Sequence, residues 1–405
     1  MARAMRRRGG EKVKLEETMH PVLRQRAEPE RRVLPLWPER WCVLFGDRQR
    51  PLWLPPGGYR FQVRCLRYFI SNPYKALYAR VLLGVNALAP GAGVLPELRL
   101  PRAMRSLLSF ELPVSGPWRA AIQIGTAGPY QKASVLLTSA QGEGLALAKV
   151  AMTQSADPMV RAEAKWLREL AGLRPLAGQV PRLVTEGATL SGRRYLVTTL
   201  APGTGQSSAL TAAHARFLEA LGRARLDSQS FGSSPCFRYL DQTLAQLAAC
   251  APREALTALR EALDDCVLHL AGWCGPFVIA QGDFAPWNIR VHRQGIFVFD
   301  WEYARTGANP LADVFNFLLM PRAVSGRAIS IRFLAAAIRR AAALARQLYP
   351  EWSWRTRVVA ALALAYLLEV IAHYCLANQC VDQADPVIRS YWRLMEERSA
   401  WMGTT

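Results

Sequence analysis

Apolar positions along the chain change their period near residue 200. From Trp118 to Met152 they come in short alternating runs, AAIQIG, ASVLLTS and ALAKVAM, separated by GTAGPYQK and AQGEG. Period-two alternation with Gly-containing breaks predicts three strands of an antiparallel meander. SADPMVRAEAKWLRELAGL then places Val160, Ala164, Leu167 and Leu170 at helical spacing, with Ser155 and Asp157 as N-cap candidates and Pro158 in the first turn. Two more strand-like runs, Arg182 to Glu186 and Arg193 to Leu200, end at the break APGTG. Beyond it the period is mostly helical: Leu210, His214, Phe217 and Leu221 behind Ser207 or Ser208, then Tyr239 to Leu270, Ile329 to Leu348, Arg355 to Ala377 and Pro386 to Met402. Inside this helical section sit two short apolar runs, Phe277 to Ala280 and Ile296 to Phe299, which predict a hairpin.

The pattern divides the chain into four parts. Residues 1–33 are a basic flexible arm, poor in apolar residues, and 34–110 form an N-terminal extension of unassigned role. Residues 111–203 are a small sheet-rich lobe and 204–405 a larger helical one, so the fold class is α+β. Within the extension, Tyr74, Leu77, Tyr78, Val81, Leu82 and Val85 share one helical face and read as a core stripe.

Composition narrows the partners without naming one. The 405 residues are 51% apolar, ample for a core, and carry a formal charge of +20 that favours anionic ligands. No aromatic-plus-basic motif for nucleic acid stands out, so no nucleic-acid partner is expected; contact of the basic arm with acidic lipid is compatible with the charge. The eight cysteines form no Cys-x-x-Cys pair, and no secretory signal opens the chain, which predicts free thiols and a cytoplasmic location. The apolar stretch Val358 to Leu368 ends at Glu369, short of a membrane span, and predicts a buried helix. Oligomeric state is not encoded in these patterns.

The candidate chemistry is concentrated in AQGDFAPWNIRVHRQGIFVFD, residues 280–300. Asp283 and Asn288 lie five positions apart in a loop, and Asp300 closes the following apolar run, where a carboxylate needs a cation or donor. Upstream, Lys149 interrupts an apolar strand and needs a partner, which Glu163 on the next helix can supply, with Glu169, expected to face solvent, as the competitor. Phosphoryl transfer needs oxygen ligands for Mg2+, a cation on the phosphates and a carboxylate that orients the acceptor, and this set contains all three. Individually, Asp283 and Asn288 are also ordinary turn residues, and His214 and His269 on helical faces read as structural.

GDFAPWN, followed by FVFDWEYARTG and NPLAD, resembles the catalytic core of the aminoglycoside phosphotransferase and choline kinase family, which shares the bilobal protein-kinase-like fold. The resemblance is specific over residues 280–315, weaker back to Trp118, and absent over 1–110. It implies that Asp283 orients or accepts the acceptor proton, that Asn288 and Asp300 hold Mg2+, and that Lys149, paired with Glu163, binds the phosphates of ATP or GTP. It further implies that Gly125 and Gly128 cover the phosphates, that backbone from Thr198 and Thr199 to Leu200 and Ala201 bonds the base, and that Asp313 braces the loop. The expected activity is transfer of a γ-phosphate to a hydroxyl of a small molecule such as a sugar, an amino alcohol or an aminoglycoside, with a neutral or anionic acceptor preferred. The other reading is a catalytically degenerate scaffold. Its support is Gln281, where the family generally has histidine, and a glycine-poor phosphate turn.

Overall fold

The computed structural model describes residues 38, 40–45, 50–70, 73–89, 95–110, 118–202 and 205–403; the basic arm, 1–33, lies outside the described residues. Two compact units are present, one made of Met1–Glu169 with Pro181–Gly205, the other of Leu170–Val180 with Gln206–Thr405.

The first unit is built on an eight-stranded antiparallel sheet of order β3-β1-β2-β4-β5-β6-β8-β7. Its centre is the expected meander: β4 (Trp118–Ile124), β5 (Lys132–Ser139) and β6 (Gly144–Ala151). The later pair, β7 (Leu183–Ala188) and β8 (Arg194–Thr198), joins in reversed order, because β8 pairs with β6. Between β6 and β7, α4 (Asp157–Ala171) packs Val160 and Ala164 against Ala151 and Leu196.

The segment 41–110 extends this sheet and fills its core. β1 (Trp41–Phe45), β2 (Pro51–Leu54) and β3 (Glu97–Leu98) add three strands, joined to the meander through Leu52 opposite Gln123. On one sheet face, Trp41, Val43 and Trp53 share a cluster with Ile122, Val135 and Val150, closed by Leu108 and Phe110 beside the short helix α3 (Arg102–Leu107). On the other, Phe61, Cys65 and Leu66 of α1 (Tyr59–Phe69) meet Leu52, Ala121 and Leu136. Each such large apolar side chain contributes roughly 1.5–3 kcal/mol of burial, so the extension is a structural part of the unit.

One expectation is reversed. In α2 (Pro73–Leu88) the stripe read as core faces solvent: Tyr74 is 82% exposed, Tyr78 65% and Leu77 60%. Ala79 and Leu83, on the opposite side, are the buried residues. Periodicity shows which residues share a face, but α2 is apolar on both of its broad sides, and only packing selects between them.

The second unit is mainly helical: α5 (Ala212–Ala224), α6 (Pro235–Leu247), α7 (Arg253–His269), α8 (Ala312–Val324), α9 (Ile331–Leu348), α10 (Thr356–Asn378), α11 (Pro386–Glu396) and α12 (Arg398–Met402). α10 is the one described helix long and apolar enough to cross a membrane, yet most of it is buried against α6, α7, α9 and α11, as a core helix. The strands also differ from expectation. β10 (Cys274–Ala280) does not pair with the run near Ile296; it pairs with β9 (Asp227–Ser230) and β13 (Arg305–Ala308). The hairpin is formed instead by β11 (Ile289–His292) and β12 (Gly295–Val298), directly after the loop. The four-residue strand IRVH is too short and too polar to register as an apolar run.

Glu369 ends the apolar stretch for a reason. Its carboxylate takes Nε of Arg305 at 3.2 Å and also Nη2, both side chains largely buried, with the guanidinium 4.5 Å from the Tyr239 ring centroid. Breaking such a pair strands a charge, whereas replacing both members does not. Glu369→Ala is therefore expected to destabilise the protein by about 3 kcal/mol, and Arg305→Met with Glu369→Leu to recover most of the loss, read as thermal unfolding midpoints.

Candidate active site

β10 is buried from Gly275 onward and delivers Gln281, Gly282 and Asp283 at its end. Gly282 has φ +86, and a Cβ there would collide with the Tyr303 carbonyl, so this turn requires glycine. The backbone is clamped from below by Asp313, in the first turn of α8: one carboxylate oxygen accepts from Gln281 N at 2.7 Å, the other from Gly282 N at 3.0 Å. Burial pushes the Asp313 carboxyl up to about 6 even though those two N–H groups pull it down.

Gln281 is fully buried and uses both ends of its amide. Oε1 accepts from Asp283 N at 2.8 Å, while Nε2 donates to the carbonyls of Phe299 at 3.0 Å and Asp300 at 2.5 Å. A neutral imidazole offers one donor and one acceptor. The glutamine thus ties the loop to the segment carrying Asp300 with three bonds, and its presence does not loosen the site.

Asp283, Asn288 and Asp300 converge. Asn288 is buried, and its Nδ2 donates to Asp283 Oδ2 at 2.7 Å and to the Asp283 carbonyl at 3.0 Å, bonds in which Oδ1 takes no part. Phe299 N donates to the Asn288 carbonyl at 3.1 Å, so β12 brings Asp300 to the same end of the hairpin. Asp300 itself has φ 63 in the left-handed region. That conformation costs roughly 1–2 kcal/mol for a residue with a Cβ, and it is held by the Gln281 bond and by Trp301 Nε1 donating to Val298 O at 2.9 Å.

Two further residues were not read from the sequence. Asn316 of α8 donates to Asp283 Oδ1 at 3.3 Å, accepts from the Tyr366 hydroxyl at 3.0 Å, and Tyr366 in turn lies 3.2 Å from the Tyr391 hydroxyl. The available signal was a single polar side chain inside each of two apolar helical runs, VFNFLLM and ALALAYLL. Burial, then the neighbouring Asp300, pushes the Asp283 carboxyl up to about 7, against the lowering effect of Asn288 and Asn316. Glu302 raises it further. Elsewhere in the second unit, Asp241 pairs with Arg260, Asp265 with Arg398, and Asp264 is exposed. His214 is a helix cap, with Nδ1 accepting from Thr211 N at 3.2 Å.

In the first unit, Lys149 Nζ donates to both oxygens of Glu163, at 2.6 and 2.7 Å, and both residues are buried. The turn after β4 needs glycine at Gly125, whose Cβ would lie 2.7 Å from the Lys132 carbonyl, and at Gly128, with φ +153. Thr198 Oγ1 donates to Leu147 O at 3.4 Å, and Thr199 N donates to Arg182 O at 3.0 Å, so these two threonines hold the segment in place. Leu200 packs beside Gly144, and Ala201 follows it.

The model of the Phosphotransferase enzyme family matches residues 133–355, more than half of the chain. The chain belongs to this family. The match takes in Lys149, Glu163, Thr198 to Ala201, Asp283, Asn288, Asp300 and Asp313, and leaves Gly125 and Gly128 outside. A sheet unit followed by a helical unit is the α+β, protein-kinase-like order expected of this phosphotransferase. Among solved structures, a thermostable mutant of aminoglycoside phosphotransferase APH(4)-Ia in complex with ADP and hygromycin B is 16% identical, covers 70% of this chain and 93% of its own, and has a TM-score of 0.47. A putative fructosamine-3-kinase from Thermobifida fusca is 18% identical over 72% and 94%, with a TM-score of 0.46. A choline kinase from Cryptosporidium parvum is 12% identical over 70% and 90%, with a TM-score of 0.45. A search of curated proteins found no match.

The raised Asp283 carboxyl makes a pH prediction. Its contribution to stability is complete below the unfolded value near 3.8 and is lost as pH rises through about 7, because the folded state then holds an ionised carboxylate beside Asp300. In metal-free buffer, the melting temperature of Asp283→Asn minus that of the wild type is expected to increase between pH 5 and pH 8. A difference that stays flat across this range counts against a proton held at Asp283.

Proposed function

We propose that this phosphotransferase moves the γ-phosphate of a nucleoside triphosphate, ATP foremost and GTP as the alternative, to a hydroxyl of a small molecule such as a sugar, an amino alcohol or an aminoglycoside, in the cytoplasm. The observation that carries the reading is the convergence of Asp283, Asn288 and Asp300 on one loop held by Gln281 and Asp313.

In this reading Asp283 receives the acceptor hydroxyl. Its two carboxylate oxygens are fixed by Asn288 and Asn316, which aim the group and leave lone pairs for one more donor. Lys149, fixed in place by both oxygens of Glu163, holds the donor phosphates, with Gly125 and Gly128 in the turn over them and the backbone of Leu200 and Ala201 at the base. Asn288 Oδ1 and the Asp300 carboxylate fit Mg2+, a hard cation that takes oxygen ligands and keeps much of its shell for phosphate and water. Bound there, it would neutralise charge on the transferring phosphoryl group.

The degenerate-scaffold reading loses one of its supports, since Gln281 makes three bonds within the loop. ATP with Mg2+ is expected to raise the melting temperature of the wild type, and a screen of hydroxyl metabolites for ADP release to reveal the acceptor; no stabilisation at saturating nucleotide would sink the enzyme reading. With an acceptor in hand, Asp283→Ala should lower kcat by about 100-fold or more while keeping nucleotide-induced stabilisation, whereas Asp300→Ala should weaken the Mg2+-dependent part of that stabilisation. Equal loss of nucleotide affinity in both variants contradicts this division. Gln281→Ala is expected to reduce kcat by roughly tenfold to 100-fold through misplacement of Asp283, with Gln281→His recovering part of it.

A further inference from the structure

α2 turns its largest apolar side chains outward. Tyr74, Leu77, Tyr78, Val81, Val85 and Leu88 are all exposed and form one stripe along a helix about 24 Å long. A stripe of this extent on a soluble surface marks an interaction site. Lys75 and Arg80, both exposed, lie roughly 110° from the centre of the stripe on either side of it. The neighbouring helix α1, which packs on α2, adds Arg60, Arg64 and Arg67 on one exposed face. No acidic residue occurs between Asp47 and Glu97.

We infer that the α2 face is a docking surface for an anionic lipid surface. An apolar stripe bordered by basic residues is the pattern of a helix lying in the plane of a membrane interface: the aliphatic side chains enter the acyl boundary, and Lys75 and Arg80 reach back to the headgroups. Tyr74 and Tyr78 supply rings with a polar tip, which suit the headgroup level. Charge favours this occupant over a second copy of the chain. A self-association through α2 would bring the Lys75 and Arg80 pairs of two copies together on a protein that carries +20, whereas anionic headgroups offer the opposite sign. The buried helix α10 has no part in this attachment, which is to one leaflet.

The test is co-sedimentation of the full chain with phosphatidylcholine vesicles, with and without about a third phosphatidylglycerol. Wild type should bind the anionic vesicles and not the neutral ones. Leu77→Ser with Val81→Ser keeps the charge and should weaken binding about tenfold or more, as two apolar side chains stay in water; Lys75→Ser with Arg80→Ser should weaken it and flatten its salt dependence. Since the stripe is exposed, both double variants should melt at the wild-type temperature. Absence of wild-type binding overturns the proposal, as does wild-type binding by the Leu77/Val81 variant, which would place attachment in net charge elsewhere. A large drop in its melting temperature, or a wild-type dimer that this variant dissociates, would instead assign the stripe to packing or self-association.

Discussion

The clamp on residues 281–283 is the constraint on which the candidate site depends. A carboxylate from α8 fixes two successive backbone N–H groups, and a buried amide fixes the third while holding two carbonyls of the segment that ends at Asp300. Gln281 and Asp313 are both buried, so a bond removed from either would leave a polar atom without a partner at a cost of about 1–3 kcal/mol. That asymmetry makes the loop rigid. It also explains how a left-handed Asp300 and a positive-φ Gly282 persist side by side.

Rigidity has an electrostatic consequence. Burial first, and then the charge of the neighbouring Asp300, raise the Asp283 carboxyl, and the amides of Asn288 and Asn316 only partly offset this. Asn316 extends the support outward through Tyr366 and Tyr391, so helices α8, α10 and α11 each contribute a polar group to one chain of hydrogen bonds in an otherwise apolar core.

The first unit solves a different problem. Lys149 can sit in a central strand only because Glu163 meets it with both oxygens, and α4 can present Glu163 only because Val160 and Ala164 seat that helix on the sheet. The sheet itself is completed by β1 to β3, whose tryptophans and leucines bury both faces of the meander. An extension with no visible chemistry is thus part of what keeps the lysine strand in place.

Much of this was written locally. Alternating runs marked β4 to β6, helical spacing marked most helices of the second unit, and the order Asp283, Asn288, Asp300 with Lys149 upstream marked the candidate site, because these signals need only neighbours in sequence. What required the tertiary structure was every choice between equivalent local options. The β10 run found its partners in β9 and β13 rather than β12, since pairing is decided by distant strands. α2 exposed its aromatic stripe because two apolar sides competed for one sheet. Gln281 became a three-bond tie, and Asn316 a second hand on Asp283, only once segments about twenty to thirty residues apart had been packed together, for a hydrogen bond depends on positions that no sequence spacing specifies.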